Sequence, residues 1–343
     1  MKYNYQNIAI SKDFYKSGEG FSKCLERLDP SEQYRGTELA ASSSPTRFGY
    51  DAFQRQLKRF DIKVSGQDSD RLQKFFATSD SAALFPEYVA RAVKQGVDGN
   101  HILEEICAAQ TQIEGMDYRA IASDPDWESQ KPSVVEEGGF IPETSIRLKE
   151  SLIRLKKRGR MMVASYEAIK FQRLDLFTVA LKQIGSCIGR AQLEDAVDVL
   201  INGDGNSNPA EKVKLAQSDK LTYQDLLNLW GSFGEYQMNV MLASHDMMLK
   251  LLQVPELQDP KTGLNFQATG CLSTPLGAKL FVSSAVPKGT IIGLDRRYAL
   301  EMVQAGGINV EYDKLIDCQM ERAAVTSIAG FSKIFPDAVK VLA

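Results

Sequence analysis

The longest unbroken amphipathic pattern in the chain runs from Ser165 to Gly205. Phe177, Leu181, Ile184, Ile188 and Ala191 recur at three- and four-residue intervals, which places them on one face of a helix. Ser165 is placed to cap its start by accepting backbone N–H groups, and Glu167 adds a negative charge in the first turn. Asn202-Gly203-Asp204-Gly205 ends the pattern with residues that tolerate left-handed backbone. A continuous helix over 166–201 would span roughly 54 Å at about 1.5 Å per residue. That length suits a spine on which other parts of the chain, or other copies of it, are mounted. Gly185 and Gly189 each cost such a helix about 1 kcal/mol, which points to a close neighbour or a bend.

Elsewhere the pattern predicts shorter elements. A helix over 51–63 would carry Phe53, Leu57 and Phe60 on one side, but residues 1–75 otherwise read as a polar extension broken by Ser42-Ser43-Ser44-Pro45. The aromatic pairs Phe75-Phe76 and Phe85…Tyr88 have no neighbouring strands in the sequence to bury them, so the segment is expected to dock on another surface, such as a second copy. A short helix over 87–95 would end at Gly96. Later come a helix over 221–230, a strand over 239–243, and a helix over 246–252 capped by Ser244. Strands over 279–286 and 290–294 flank a Pro287-Lys288-Gly289 turn. Asp295 is expected to cap a helix to about Gln304, stopped by Gly306-Gly307, with a strand over 308–312. Residues 320–342 read as two extended runs divided near Pro336. The order is mixed α+β.

Charge adds one feature. Residues 117–160 read as an excursion with an acidic first arm (Asp124, Asp126, Glu128, Glu136, Glu137), a turn at Gly138-Gly139, and a basic second arm (Arg147, Lys149, Arg154, Lys156, Lys157, Arg158, Arg160). The arms could pair with each other or with neighbouring copies; the plainer alternative is a solvated charged hairpin. No aromatic residues interleave the basic run, which disfavours a nucleic-acid patch.

Composition mostly excludes. With 43% hydrophobic and 25% charged residues and a net charge of -3, the chain is a globular protein and no dedicated nucleic-acid binder. Its five cysteines form no Cys-x-x-Cys motif, and His101 and His245 are its only histidines. No apolar run reaches the roughly 20 residues of a membrane helix, so no membrane partner is expected. Phosphate-binding glycine loops are absent. Asp204-Gly205-Asn206-Ser207-Asn208 begins like a calcium loop, but Pro209 and Leu215 stand where such a loop needs glycine and glutamate. Ser244-His245-Asp246 holds the three residue types of a hydrolytic triad, yet adjacent residues cannot generally reach triad geometry. No catalytic residue, metal site or cofactor is expected, which suits a protein whose function is to assemble.

Four landmarks resemble the major capsid proteins of tailed bacteriophages with the HK97-type fold. They are the basic strand into the spine (Lys156-Lys157-Arg158-Gly159-Arg160 to Ser165-Tyr166-Glu167), the spine's end (Leu200 to Gly205), the strand–turn–strand from Gly277 to Thr290, and the ending Pro336 to Leu342. The resemblance covers about residues 75–343. It implies an N-terminal extension at 1–75, allowing a scaffold-like region, an N-terminal arm at 76–118 and an extended-loop hairpin at 119–160. It further implies a peripheral domain at 161–222 with return strands at 311–343, and an axial domain at 223–310. The implied function is a non-enzymatic major capsid protein that forms pentamers and hexamers of an icosahedral shell around double-stranded DNA. Its implied partners are further copies, a portal, decoration or scaffolding proteins, and the DNA through weak backbone contact. The implied location is the virion capsid, assembled in the bacterial host cytoplasm. Glu136, Glu137, Arg147, Lys149, Arg158, Arg160, Phe85 and Tyr88 are the candidate subunit-interface residues. Lys131 and Lys149 lie in the loop region, but no acceptor asparagine or catalytic acid matches by motif, so no cross-link is expected. The alternatives are an encapsulin-type nanocompartment shell, which shares the fold, and a hydrolase using Ser244 or His245.

Overall fold

The computed structural model describes residues 4–15, 20–39, 50–99, 101–123, 134–135, 137, 146–149, 151–217, 220–258, 275–315 and 317–343. The chain divides into two compact units: residues 1–99, 159–188 and 308–326 form one, and residues 100–158, 189–307 and 327–343 the other.

The first unit is mainly helical. Helices α1 (Phe21–Leu28), α2 (Ala52–Arg59), α3 (Ser79–Ala83) and α4 (Phe85–Asp98) surround an aromatic core. Asp51 starts α2 with a reciprocal capping box, accepting the Gln54 N–H at 2.8 Å while Gln54 Oε1 takes its own. Residues 1–75 are therefore no bare extension. Phe21, Leu25, Phe53, Leu57 and Leu72 are buried, and Arg55, itself fully buried, donates to Asp29 Oδ2 at 2.5 Å and to the carbonyls of Asp29 and Tyr50. The expectation for the aromatic segment is likewise corrected. Phe75, Phe85 and Tyr88 are buried in this unit's own core, where Phe85 meets Phe177 and Tyr312 at ring distances of 6.2 and 5.5 Å. They pack on one another and on rings from a later helix and a distant strand.

Later in the chain, α5 (Ile102–Ile106) leads into strand β1 (Cys107–Ile113), and β2 (Ile121–Ser123) pairs antiparallel with β3 (Ile146–Leu148). Strand β4 (Lys156–Ser165) follows, then α6 (Tyr166–Phe171) and α7, the spine (Leu174–Asn202). The expected single helix from 166 is thus two. Ser165 caps α6 through the Ala168 N–H. The chain then opens at Gln172 and Arg173: the Gln172 carbonyl accepts from Leu72 N–H, and Leu174 N–H donates to the Asp70 carbonyl. Arg173 seals the junction on the carbonyls of Gly66 and Gln67. Backbone groups spent on a neighbouring segment cannot continue a helix. The 29-residue spine is roughly 43 Å long.

On the spine Leu181 and Ile188 are buried and Phe177 and Ile184 partly so, as the sequence pattern predicts, and Leu174 is buried as well. Gly185 explains itself. A Cβ there would fall on the Val93 carbonyl, and a Cβ on Gly96 would fall on the Lys182 carbonyl. Gly96, expected as a helix stop, lies inside α4; the two glycines let the helix backbones meet.

In the second unit the rest of the spine buries Leu193, Ala196, Val197 and Leu200. A five-stranded sheet, in the order β5 (Glu211–Val213), β12 (Val339–Leu342), β8 (Ile291–Leu294), β6 (Val240–Ala243), β7 (Lys279–Val282), lies wholly in this unit. With it go α8 (Tyr223–Gly231), capped by Thr222, α9 (His245–Leu252) and α10 (Pro255–Gln258). Ser244 holds the position before α9, and its carbonyl accepts the Met248 N–H, but its hydroxyl makes no capping bond.

A second five-stranded sheet follows the order β1, β9 (Leu300–Ala305), β11 (Met320–Lys333), β10 (Asn309–Leu315), with β4 also on β11. The helix expected after Asp295 is this strand β9. Asp295 instead closes a turn, accepting from Gln237 N–H, Asn239 Nδ2 and Arg297. Leu300, Met302 and Val303 are then buried with β9 paired parallel to β1 and antiparallel to β11, so sheet burial overrides the helical spacing.

Candidate functional site

The described chains that lead into and out of the excursion expected over 117–160 lie side by side in the second unit. On the outgoing chain, Tyr118 donates its hydroxyl to Glu301 Oε1 at 2.7 Å, and Thr111 of β1 donates to the same oxygen at 2.6 Å. Glu301 projects from β9 and is 9% exposed. Burial first, and the bond to Glu301 second, push the Tyr118 hydroxyl above its ordinary pKa. The two chains of the base are tied by backbone bonds, Lys149 N–H to the Ala120 carbonyl and Ile153 N–H to the Tyr118 carbonyl, both 2.9 Å. Ala120, Ile153 and Val303 form a small apolar cluster beneath them.

On the returning chain Lys149 is buried. Its Nζ donates to Asp204 Oδ2 at 2.9 Å, to Ser332 Oγ at 3.2 Å and to the Lys333 carbonyl. Asp204 lies in the turn that ends the spine. It also accepts from the Ser332 hydroxyl at 3.0 Å, the Lys333 N–H at 3.1 Å and the Asn206 amide at 2.9 Å. Burial would raise its carboxyl, but the bonds from Asn206 and Lys149, with the Lys149 charge, hold it down at about 2. Lys333, fully buried, donates Nζ to the Leu200 carbonyl at 3.1 Å, and burial pushes its amine down to about 8. Gly203 at φ +88° starts the turn, and Asn208 Oδ1 accepts the Asp204 N–H. The calcium-like run is therefore a helix terminator whose carboxylate is engaged by a lysine. Among the described residues no group of acidic, cysteine or histidine side chains could hold a metal.

Beyond the base, both Arg158 bonds go to Asp195 on the spine, at 2.7 and 2.8 Å, and Lys156 joins the same carboxylate at 2.6 Å. Of the candidate interface residues, Lys149 and Arg158 thus have partners within the chain. Arg160 and Glu137 are exposed, and Arg147 lies on β3. Glu136 lies outside the described residues, as does most of the excursion's tip. Phe85 and Tyr88 are corrected from interface to core. The sequence reading missed Glu301, Tyr118, Ser332 and Lys333, and took Asp204 as part of the helix-ending turn without its lysine partner. A usable signal existed in Phe331-Ser332-Lys333-Ile334-Phe335, a lysine inside an apolar run that needs a buried acceptor.

The triad types do not assemble. Ser244 is 2% exposed, no hydrogen bond joins it to His245, and the Asp246 carboxylate accepts the Gly289 N–H at 2.8 Å. His245 itself is exposed. Among the described residues no helix is long and apolar enough to cross a membrane.

Residues 149–316 match the model of a family described as phage capsid protein. No curated protein sequence matches the chain. Among solved structures, the chain is similar to a virus-like particle protein from Pyrococcus furiosus (15% identity, 76% of this chain and 99% of that one, TM-score 0.51). It is similar also to the capsid of cyanophage P-SCSP1u (13% identity, 70% and 86%, TM-score 0.52) and to the capsid of a native GTA particle (16% identity, 70% and 88%, TM-score 0.52). Residues 149–316 thus resemble the phage capsid family, and the chain has the α+β fold of these capsid structures, the HK97-type fold.

Proposed function

We propose that the chain is the major shell subunit of a phage-type particle: it assembles with further copies into pentamers and hexamers of an icosahedral shell around double-stranded DNA. The observation that carries this reading is the family match over residues 149–316, which runs from the excursion's returning chain through the spine. The role is structural. In this reading residues 76–118 act as an N-terminal arm, 119–160 as the extended loop, 161–222 with 311–343 as the peripheral domain, and 223–310 as the axial domain. Residues 1–75 form an N-terminal region ahead of them. Charges of the loop, with Glu136, Glu137, Arg147 and Arg160 as candidates, set register between copies more than they add affinity. A portal and decoration or scaffolding proteins complete the particle, which is assembled in the host cytoplasm. DNA is held weakly through its phosphates.

Electron microscopy of the expressed protein tests the proposal: closed icosahedral shells are expected, and a monodisperse monomer under all assembly conditions sinks it. Nucleic acid in the shells supports a virion capsid, whereas a protein cargo without DNA points to an encapsulin-type compartment instead. Arg160→Glu is expected to reduce shell yield with the subunit still folded. Arg158→Glu is the less clean probe, because it also breaks the pair with Asp195.

A further inference from the structure

The three-residue ladder of β2 and β3 is too short to fix its own direction. Two-stranded ribbons of this size are marginal in water, and their register is weakly specified. Something outside the ladder must therefore aim it. At its base the two chains are fastened to different elements: Tyr118 to β9 through Glu301, and Lys149 to the spine's terminal turn through Asp204 and to β11 through Ser332 and the Lys333 carbonyl. Ser151 N–H adds a second bond to that turn, on Asn206 Oδ1 at 3.1 Å. A buried ion pair adds little net stability over an apolar replacement, but it is directional, and a wrong chain path leaves a charge unpaired.

We propose that Tyr118–Glu301 and Lys149–Asp204 are a pair of positioning anchors that aim the excursion, and that association with a second copy requires both while folding of the subunit does not. The proposal rests on the capsid reading given above. Two observations separate aiming from folding. Without Lys149, Asp204 keeps donors from Ser332, Lys333 N–H and Asn206, so its carboxylate is still solvated by the protein. Without the Tyr118 hydroxyl, Glu301 keeps Thr111. Each loss frees one chain of the base and leaves the sheet's own pairing intact.

The test uses the full chain and the variants Tyr118→Phe, Lys149→Met, both together, and Lys149→Arg. Hydrogen exchange on unassembled protein is expected to rise about ten-fold at residues 118–123 and 146–153 in the two single variants, with the spine unchanged. Shell yield is expected to fall about five-fold, or the diameters to scatter, with Lys149→Arg restoring most of both. Unfolding midpoints should stay close to the parent's for Tyr118→Phe; should Lys149→Met fail to fold, Tyr118→Phe alone carries the test. Unchanged exchange at the base overturns the anchoring. Raised exchange with parental shell yield and diameter overturns the requirement in assembly. If the unaltered chain forms no shells, the capsid reading fails, and with it the role in association, while the exchange arm still decides whether the anchors hold the base.

Discussion

Two stretches of this chain, the first hundred residues and the excursion between 117 and 158, both read in the sequence as arms, and the fold treats them in opposite ways. The first has its own core: Phe21, Leu25, Phe53, Leu57, Phe75, Phe85 and Tyr88 are all buried. Among its described residues the excursion has a small apolar cluster at its base and is fastened there by polar side chains, Tyr118 on Glu301 and Lys149 on Asp204. Aromatic residues at helical spacing can recruit partners from far along the chain, here Phe177 and Tyr312. Charged residues at strand spacing cannot, and depend on specific acceptors. A polar stretch with scattered aromatics is thus a better candidate for a folded unit than its average composition suggests.

The sharpest way to break that contrast is Arg55→Ala. Its guanidinium is fully buried, bonded to Asp29 and stacked 4.3 Å from the Tyr34 ring centre. Removing it leaves the buried Asp29 carboxylate with the Tyr34 hydroxyl and no cation. A loss of roughly 3–5 kcal/mol in urea-induced unfolding is expected. Were residues 1–99 a loose arm, the substitution would cost less than about 0.5 kcal/mol.

Gly185→Ala ranks next. At an ordinary helical position this change stabilises by about 1 kcal/mol. Here the added methyl meets the Val93 carbonyl, and backbone cannot rotate aside as a side chain can. A destabilisation of about 3 kcal/mol, at the upper end for overpacking, is expected by denaturant melts. A stabilised variant would show that α4 and the spine do not meet at Gly96 and Gly185.

The same residues show how far sequence reading reaches. The spine's apolar face, its capped neighbour at Ser165, the strands β6, β8, β11 and β12, and the Gly203 terminator were legible, because each follows from local periodicity or backbone preference. What was illegible depends on tertiary pairing. Gly96 looks like a stop and is a crossing point; 295–304 looks helical and becomes β9 because β1 and β11 flank it. The excursion's charges were visible, but not their division: Lys149, Lys156 and Arg158 are consumed by Asp204 and Asp195 within the chain, whereas Glu137 and Arg160 are exposed.

Acid titration sharpens the polar side of the contrast. The Asp204 carboxyl sits at about 2, below its ordinary 3.8. A depressed carboxyl contributes stability that is complete above the ordinary value and is lost as pH falls through the folded one. Between about pH 4 and 2, unfolding free energy should therefore drop by roughly 2 kcal/mol on this group's account. In Asp204→Asn that component of the slope should vanish. An unchanged slope would mean that the fold does not hold the Asp204 carboxyl low.

The smallest effect is expected at Lys333, and its sign is the informative part. Burial lowers its amine to about 8 from 10.5, so the folded chain holds its proton less tightly than the unfolded chain does. The charged amine therefore weakens the fold below pH 8, and stability should rise as pH climbs from about 8 towards 10.5, opposite to the behaviour of a lysine that gains a partner. Lys333→Met removes the buried charge together with the bond to the Leu200 carbonyl. The two losses offset, and the net change at neutral pH should lie within about 1 kcal/mol. The alkaline rise should disappear in this variant; a loss of several kcal/mol instead would mean that the Leu200 bond, and not the burial of charge, dominates the energetics at the end of the spine.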